Sequence, residues 1–216
     1  MDVLISGTSK GIGRATALKF LQEGHNVWGL DIDFSTIDHE RYTHFLCDVS
    51  EHATLPNLAN MSIVINNAGT QNDVCAIDVN LIGTMNVTER YALHPHIKAV
   101  VNVASTSAHN GAEFPMYSAS KGGVLAYTKN VALRIAQYGA TCNSISPGGV
   151  LTDMNEHIIN NPDLWSQVMD EALIKKWATA EEIAEWIYFV AVINKSMTAQ
   201  DIIIDNGELA NANFVW

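Results

Sequence analysis

The sequence predicts an α/β fold in which a parallel sheet of about seven strands is covered by helices on both faces. Short runs rich in β-branched residues alternate with longer helical segments along the chain. The strand cores, such as Ile63-Val64-Ile65 and Ala99-Val100-Val101, are almost wholly apolar, as burial of both sheet faces requires. No linker rich in Pro, Gly or Ser divides the chain. We therefore expect a doubly wound single domain over residues 1–216.

The first half of the chain begins with a strand, a glycine-rich turn and a helix. Three more strands follow, and then a second helix. The predicted strands are Val3–Ser6, Asn26–Leu30 with Asp31 at its end, Thr43–Cys47 and Ile63–Asn66. The predicted helices are Ile12–Glu23 and a long one, Asp73–Leu93, which Pro95 closes.

The second half repeats this alternation. The predicted strands are Ala99–Ala104, Thr141–Ser146, which Pro147 stops, and Ile202–Asp205, which Asn206-Gly207 stops. The predicted helices are Met116–Tyr138, ended by Gly139, and then Asn155–Glu171 and Ala180–Ile193.

The composition is that of an ordinary globular protein, with 48% apolar and 16% charged residues among 216. A net charge of −11 argues against nucleic acid and anionic membranes as partners, since both require a basic surface. The first residues, Met-Asp-Val-Leu-Ile-Ser-Gly, lack the basic and apolar regions of a signal peptide, and no apolar run is long enough to span a bilayer. Cys47, Cys75 and Cys142 are odd in number and far apart, which favours free thiols. We expect a cytoplasmic protein.

A glycine-rich loop lies between the first strand and the first helix. Its sequence is Gly7-Thr8-Ser9-Lys10-Gly11-Ile12-Gly13. Glycines permit a tight turn and let backbone N–H groups approach a pyrophosphate at the helix N-terminus. Asp31 follows Gly11 by 20 residues, where a carboxylate can accept hydrogen bonds from an adenosine ribose. The alternative is that the glycines serve packing only.

Two charged residues bear on the choice of dinucleotide. The Asp31 carboxylate would repel a 2′-phosphate and so favours NAD, whereas Lys10 in the glycine loop could attract that phosphate. Because Asp31 would lie beside the ribose hydroxyls, we predict NAD as the cofactor and NADP as the less favoured one.

Tyr117 and Lys121 are four residues apart in the run Tyr-Ser-Ala-Ser-Lys, so a helix would place both side chains on one face. An ammonium close to a phenol favours the phenolate, which could then exchange a proton with a substrate near neutral pH. By spacing alone, a solvated helix face is the more common explanation.

With these residues in place, the chain resembles the short-chain dehydrogenase/reductase family from its first residues to about Gly207. Further motifs occur in the family's order. They are the loop Ser6–Gly13, Asp48-Val49, Asn66-Asn67-Ala68-Gly69, Asn80, Ser105, which precedes Tyr117 by 12 residues, and Pro147-Gly148-Gly149-Val150 with Thr152. The resemblance implies a Rossmann fold that binds a nicotinamide cofactor.

The resemblance also implies catalytic roles for four residues. Tyr117 would be the general acid or base, and Lys121 would support its phenolate and hydrogen-bond the nicotinamide ribose. Ser105 would hold the substrate oxygen, although Thr106 or Ser107 could occupy its position. Asn80 would fix a water that links Lys121 to solvent. Ser118 and Ser120 are interpreted as small helix residues.

The implied cofactor contacts extend over much of the sequence. They are Gly7, Ser9, Lys10, Gly11, Ile12, Gly13, Asp31, Asp48, Val49, Asn67, Ala68, Gly69, Tyr117, Lys121, Pro147, Gly148, Val150 and Thr152. Two alternatives stay open: Asp48 could cap the short helix after it, and Asn66 and Asn67 could be structural turn-formers. No metal is required, and we interpret His94-Pro-His96 as a surface turn.

Residues 151–178 are the predicted substrate lid, although their apolar side chains could equally belong to the core. These side chains are Met154, Ile158, Ile159, Leu164, Trp165, Met169 and Trp177. The family's oligomers pair the two long helices, so we expect a homotetramer or homodimer. The apolar Phe214-Val215-Trp216 would be buried against a neighbouring subunit.

The resemblance predicts an NAD(P)-dependent oxidoreductase that transfers a hydride between nicotinamide and a secondary alcohol or ketone. The substrate could be a 3-oxoacyl thioester, a hydroxysteroid, or a sugar or polyol. The alternative is a regulatory protein that senses NAD without turnover. The intact Ser105, Tyr117 and Lys121 favour the enzyme, because a sensor has no need of a tuned phenol.

Overall fold

The structure is a computed structural model that describes residues 1–112 and 114–211. Seven parallel strands form one sheet in the order β3-β2-β1-β4-β5-β6-β9, and β7 pairs with β8 separately. The strands are β1 (Asp2–Ser6), β2 (Asn26–Asp31), β3 (Tyr42–Leu46), β4 (Ile63–Asn66), β5 (Ala99–Val103), β6 (Thr141–Pro147), β7 (Val150–Leu151), β8 (Ala178–Thr179) and β9 (Asp201–Ile204). The predicted doubly wound parallel sheet is confirmed.

Helices connect the strands. They are α1 (Gly11–Gln22), α2 (Gly83–Tyr91), α3 (Ser107–Asn110), α4 (Pro115–Ile135), α5 (Glu156–Ile159), α6 (Pro162–Glu171) and α7 (Ala180–Tyr188). Wider π turns occupy Ile77–Ile82 and Phe189–Ile193. Single 3₁₀ turns occupy His52–Thr54, Ala136–Tyr138 and Asp153–Asn155. No helix among the described residues is both long and apolar enough to cross a membrane.

The core has two layers, one on each face of the sheet. Alternate residues of β1 point to opposite faces, so Val3 and Ile5 belong to one apolar cluster and Leu4 to the other. Helices α1 and α7 cover the first face through residues such as Phe20 and Ile183, and α2 and α4 cover the second. The sheet is therefore buried on both faces, which explains why its strands are apolar runs without polar alternation.

The strand order reverses between β1 and β4, since β2 and β3 lie on one side of β1 and β5, β6 and β9 lie beyond β4. In an open parallel sheet, ligands bind outside the carboxyl ends of the strands at such a reversal. The loops that follow β1, β4, β5 and β6 meet at this edge, and all the predicted catalytic residues lie in or after them.

Two helix predictions were wrong in detail. The predicted helix Asn155–Glu171 is broken into a 3₁₀ turn, α5 and α6. Pro162 has no N–H to continue a helix, so it begins α6 instead, and the side chain of Asn161 caps the new helix. Asp73–Leu93 was predicted as one helix, but helical structure begins three residues later, at Ala76, and Asp73 lies in the preceding turn. The helix then passes through the π turn Ile77–Ile82 and continues as α2 to Tyr91. The strand boundaries differ from the predictions by about one residue. The predicted burial of Phe214-Val215-Trp216 lies outside the described residues.

Candidate active site

The glycine loop packs so closely against α1 and the segment after β4 that Gly7 and Gly13 have no room for a side chain. Gly7 has a φ of +75°, and a Cβ there would lie 2.8 Å from Asn67 Nδ2. A Cβ on Gly13 would lie 1.9 Å from the Gly7 carbonyl oxygen. Both positions therefore require glycine, one for its conformation and space and the other for the close approach of α1 to the loop.

Hydrogen bonds tie this loop to the segment after β4. The Asn67 side-chain amide donates to the carbonyls of Ser6 and Gly7, at 3.1 Å each. The Ser6 hydroxyl accepts from the N–H groups of Asn67 and Ala68. Asn66 is buried and donates to Thr88 and Asn102. Both asparagine side chains thus make structural contacts, and the predicted contact of Asn67 with the cofactor stays a prediction.

The N-terminus of α1 is open to an anion. Lys10 stands at the N-cap without a side-chain hydrogen bond to the helix, and the first turn carries no acidic residue. The first N–H groups of a helix have no intrahelical partners, and they attract a phosphate. Gly11, with φ +54°, faces Thr152, whose methyl carbon would lie 3.4 Å from a Cβ at that position. The Ile12 side chain packs toward α7, so a ligand would meet its backbone.

The end of β2 carries the predicted ribose-binding carboxylate. Asp31 is 9% exposed and accepts from the N–H of Ser9 at 2.8 Å and from that of Asp33 at 3.0 Å. Lys10 forms an exposed ion pair with Asp33 at 3.1 Å. The loop therefore presents two carboxylates, and the nearby lysine is already paired with one of them.

On the adenine side, Asp48 and Val49 follow β3. The Asp48 carboxylate accepts from the N–H and the hydroxyl of Ser50, so it stabilises a turn and does not cap the 3₁₀ turn that begins at His52. The side chain of Val49 is buried beneath Gly83, where a Cβ would come within 2.6 Å of it. A ligand could reach Val49 only through its backbone.

Lys121 is the most unusual charged residue of the structure. It is 5% exposed, and its ammonium donates to the carbonyl of Val103, the last residue of β5, at 2.8 Å. Burial lowers the pKa of Lys121 to about 8. Tyr117 lies one helical turn before it, with its ring centroid 5.8 Å from Lys121 Nζ. The bond to Val103 places the Lys121 ammonium at the carboxyl end of β5, two residues before Ser105 in the sequence.

Asn80 lies within the π turn Ile77–Ile82 and is 1% exposed. Its side chain accepts from the Thr70 N–H at 2.7 Å and donates to the Thr70 carbonyl at 2.9 Å. It also donates to Ser120 Oγ at 2.9 Å, and that hydroxyl donates to the Tyr117 carbonyl at 2.6 Å. Ser120 therefore links Asn80 to the turn that carries Tyr117 and Lys121, a role that its interpretation as a small helix residue missed.

Gly69 explains how Asn80 and Lys121 come together. A Cβ at this position would lie 3.2 Å from Asn80 Oδ1 and 3.4 Å from Lys121 Nζ. Both polar groups thus face the same backbone turn after β4. The sequence placed these three residues in separate motifs, and the fold brings them into one cluster.

Ser105 is buried after β5, and its hydroxyl lies 3.1 Å from that of Ser107, whose N–H donates to it at 3.2 Å. The N–H of Thr106 donates to the Pro147 carbonyl. The two serine hydroxyls are therefore neighbours, so the alternatives raised by the sequence, Ser105 and Ser107, occupy one small region.

The loop after β6 is held from the C-terminal side of the chain. Glu208 accepts from the N–H of Gly149 at 3.0 Å. The Trp177 indole fills the space beside Gly149, where a Cβ would lie 2.0 Å from its Nε1. The side chain of Val150 is buried, which leaves the backbone of Pro147–Val150 for ligand contact. Glu208 and Trp177 were not singled out for this loop, because their partners are distant in sequence.

The residues described in the structure include no group of three His, Cys, Asp or Glu side chains that could hold a metal. His94 contacts the Tyr91 carbonyl at 3.0 Å and accepts from the N–H of His96 at 3.2 Å. These two histidines stabilise the turn after α2.

Comparison with known proteins agrees with this geometry. Residues 7–208 match the model of a family described as enoyl-(acyl carrier protein) reductase. A 2-(R)-hydroxypropyl-CoM dehydrogenase of Xanthobacter autotrophicus is 28% identical over 226 residues, covering 87% of this chain and 90% of that protein. A short-chain dehydrogenase/reductase of Talaromyces verruculosus is 29% identical over 186 residues, covering 72% of each chain. The chain belongs to the short-chain dehydrogenase/reductase family.

The solved structures agree with this assignment. A 4-hydroxyisoleucine dehydrogenase complexed with NADH is 27% identical and superposes with a TM-score of 0.87, over 98% of this chain and 99% of the other. This short-chain dehydrogenase/reductase is therefore an oxidoreductase, as the sequence motifs predicted. Its catalytic and cofactor-binding residues remain predictions.

Proposed function

We propose that this short-chain dehydrogenase/reductase transfers a hydride between a nicotinamide cofactor and a secondary alcohol or ketone, with Tyr117 as general acid or base. The observation that carries the proposal is the buried Lys121, which lies one helical turn from Tyr117 at the carboxyl end of β5. Burial of an ammonium is costly, so a fold retains one where its charge has a function.

In the oxidation direction, the Ser105 hydroxyl holds the substrate oxygen and the Tyr117 phenolate takes its proton. The charged Lys121 stabilises the phenolate, and Asn80 holds the turn after β4 against the helix of Tyr117. A nicotinamide cofactor, when bound, would supply the hydride acceptor. The open N-terminus of α1, the close-packed Gly7 and Gly13 and the Asp31 carboxylate fit a dinucleotide.

The experiment that tests this function has two parts. NADH is titrated against the protein by fluorescence. Turnover is then measured with NAD⁺ on 2-butanol, cyclohexanol and glucose, and with NADH on ethyl acetoacetate. We expect saturable NADH binding and turnover on at least one of these compounds. Binding without turnover on any of them would favour the alternative, a protein that senses NAD.

We propose NAD as the preferred cofactor. A 2′-phosphate beside Asp31 would meet its negative charge and that of Asp33, and the ion pair with Asp33 already engages Lys10. Replacing Asp31 with Asn should therefore raise the affinity for NADP relative to NAD by about tenfold or more, because a like-charge contact is removed. The two dissociation constants are measured by fluorescence titration.

The matched control is Asp38→Asn, which removes the same charge from an exposed position further along the same loop. We expect it to leave the ratio of the two dissociation constants unchanged. Equal ratios for Asp31→Asn and the wild type would show that this carboxylate does not select the cofactor.

Residues 151–178 are proposed to be the substrate lid. Helix α6 has no buried residue, and Met154 and Leu164 are exposed, whereas Trp177 belongs to the core. Trp177 therefore anchors this segment in the core, whereas Met154 and Leu164 contribute to an exposed apolar surface. That surface suits a substrate with an apolar portion.

We propose that the long helices α2 and α4 pair with those of a second subunit. Glu89 and Arg134 join the two helices through a bidentate ion pair, and Leu133 beside it is 80% exposed. Leu133→Asp should shift the mass in solution toward the monomer, because it places a charge in the interface. Leu46→Asp, at an exposed apolar position of β3, is the control and should leave the mass unchanged.

A further inference from the structure

The helix that carries Tyr117 and Lys121 is capped from elsewhere in the chain. Phe114 stands at the N-cap of α4 and its side chain makes no capping hydrogen bond, and Pro115 follows at the first helical position. The next two N–H groups, those of Met116 and Tyr117, both donate to Asp73 Oδ1, at 3.1 and 3.2 Å. A single carboxylate, 43 and 44 residues earlier in the sequence, thus satisfies the first turn of the helix.

Asp73 is itself held in a compact turn between β4 and the π turn. The N–H of Val74 donates to Asn72 Oδ1, and the N–H of Asn72 donates to Thr70 Oγ1, at 3.1 Å each. The backbone of Thr70 is fixed at both its N–H and its carbonyl by Asn80. The position of Asp73 is therefore determined by several bonds and does not depend on one flexible side chain.

The same loop contacts α4 at two levels. Asp73 binds the backbone of residues 116 and 117, and Asn80 binds Ser120 one turn later. Tyr117 carries one of the two N–H groups that Asp73 binds, three residues before Ser120. It is the third residue of the helix, within the turn that frays most readily when its N–H groups lack partners.

We propose that Asp73 is a positioning residue, which holds Tyr117 in reactive register with Ser105 and Lys121 by capping α4. The inference rests on the proposed function of Tyr117, since it concerns where that phenol is held. Misplacement of a reacting group by about 1 Å can lower a rate by about a hundredfold. A frayed first turn would allow a displacement of that size while Lys121, in the second turn, stays buried.

The test compares Asp73→Ala with Asp73→Asn. The alanine variant has no acceptor, whereas the asparagine variant keeps an oxygen at the capping position and removes only the charge. We expect kcat to fall by about ten- to a hundredfold in Asp73→Ala, with KM and the NADH dissociation constant little changed. Asp73→Asn should restore most of the wild-type kcat. Turnover is measured on whichever of the four compounds named above the wild type converts best.

The control for a purely structural effect is Thr179→Ala. Thr179 caps α7 through a reciprocal pair of hydrogen bonds with Glu182, at a helix that carries none of the predicted site residues. It should lower the melting temperature by an amount similar to that of Asp73→Ala and leave kcat unchanged. Hydrogen exchange at the amides of Met116 and Tyr117 should accelerate in Asp73→Ala alone.

Four outcomes would overturn the proposal. Two concern the Asp73 variants: a wild-type kcat in Asp73→Ala, or a kcat in Asp73→Asn as low as that of the alanine variant. The other two are a loss of kcat in Thr179→Ala equal to that in Asp73→Ala, and unchanged amide exchange in Asp73→Ala. A wild-type protein that converts none of the four compounds defeats the proposed function instead. In that case the amide exchange, which needs no substrate, still decides whether Asp73 holds the helix.

Discussion

Replacing Tyr117 with Phe should lower turnover by about 10²- to 10⁴-fold, the usual contribution of a general acid or base. The substitution removes one oxygen from a side chain that is 9% exposed and leaves its ring in place. Tyr117 is one of the predicted cofactor contacts, but the glycine loop is expected to hold the pyrophosphate and Lys121 the nicotinamide ribose. NADH affinity should therefore stay largely intact. Steady-state kinetics and a fluorescence titration on the same preparation measure the two quantities.

Tyr127→Phe provides the matched comparison on the same helix. The Tyr127 hydroxyl donates to Glu89 at 3.0 Å, on the side of α4 that faces α2, and Glu89 is not one of the predicted site residues. Its loss should cost stability but leave kcat near the wild-type value. Full activity in Tyr117→Phe would remove Tyr117 from the chemistry and reduce its spacing from Lys121 to a coincidence of the helix.

The layout of the seven-stranded sheet was predictable because each of its strands has a recognisable local sequence pattern. Runs such as Ile63-Val64-Ile65 are short, apolar and β-branched, and they alternate with helical segments, which fixes both the strand positions and the parallel arrangement. The two-residue strands β7 and β8 were not predicted. Their pairing depends on residues that are 28 positions apart, as in Val150 with Ala178, and so carries no local signal.

The break between α5 and α6 had a signal that was not used. Asn160-Asn161-Pro162 combines a good N-cap with a proline at the first helical position, and the structure begins α6 there. The apolar residues on both sides suggested one continuous helix, but a proline in its interior could not have been accommodated without a kink.

The site residues divide along similar lines. The glycine loop, and Tyr117 with Lys121, lie in short motifs whose spacing reflects a local geometry, and Asp31 ends the strand that follows the loop, so the sequence alone could predict them as site residues. Asp73 and Glu208 act through backbone N–H groups that are 43 and 59 residues away. A carboxylate that caps a distant helix or loop looks like any surface acid until the fold brings its partner to it.

Lys121→Met should make the protein without cofactor more stable at neutral pH while it destroys activity. The side chain of Lys121 is almost fully buried and donates to the Val103 carbonyl. Burial lowers its pKa from 10.5 to about 8. The unfolded chain therefore binds this proton more tightly than the folded protein does, and folding at neutral pH carries the cost of burying a cation. At about 1.4 kcal/mol for each pKa unit, that cost is about 3 kcal/mol.

The dependence on pH follows from the same shift. Below pH 8, both states hold the proton and the full cost applies. Between pH 8 and 10.5, the folded protein has released the proton and the unfolded chain has not, so the cost diminishes as the pH rises. The stability gained by Lys121→Met should therefore be greatest near neutral pH and should shrink toward pH 10.5.

Urea unfolding of the wild type and the variant at pH 7 and pH 9.5, at one protein concentration, measures this difference. Methionine fills a similar volume but cannot donate to Val103, so we expect a net gain of about 1–2 kcal/mol at pH 7. Lys129→Met, an exposed lysine two turns further along α4, should show no gain at either pH. A less stable Lys121→Met variant at pH 7 would mean that the ammonium stabilises the fold. A more stable but inactive variant, with weakened NADH binding, would show that the fold retains this cation for its role beside Tyr117.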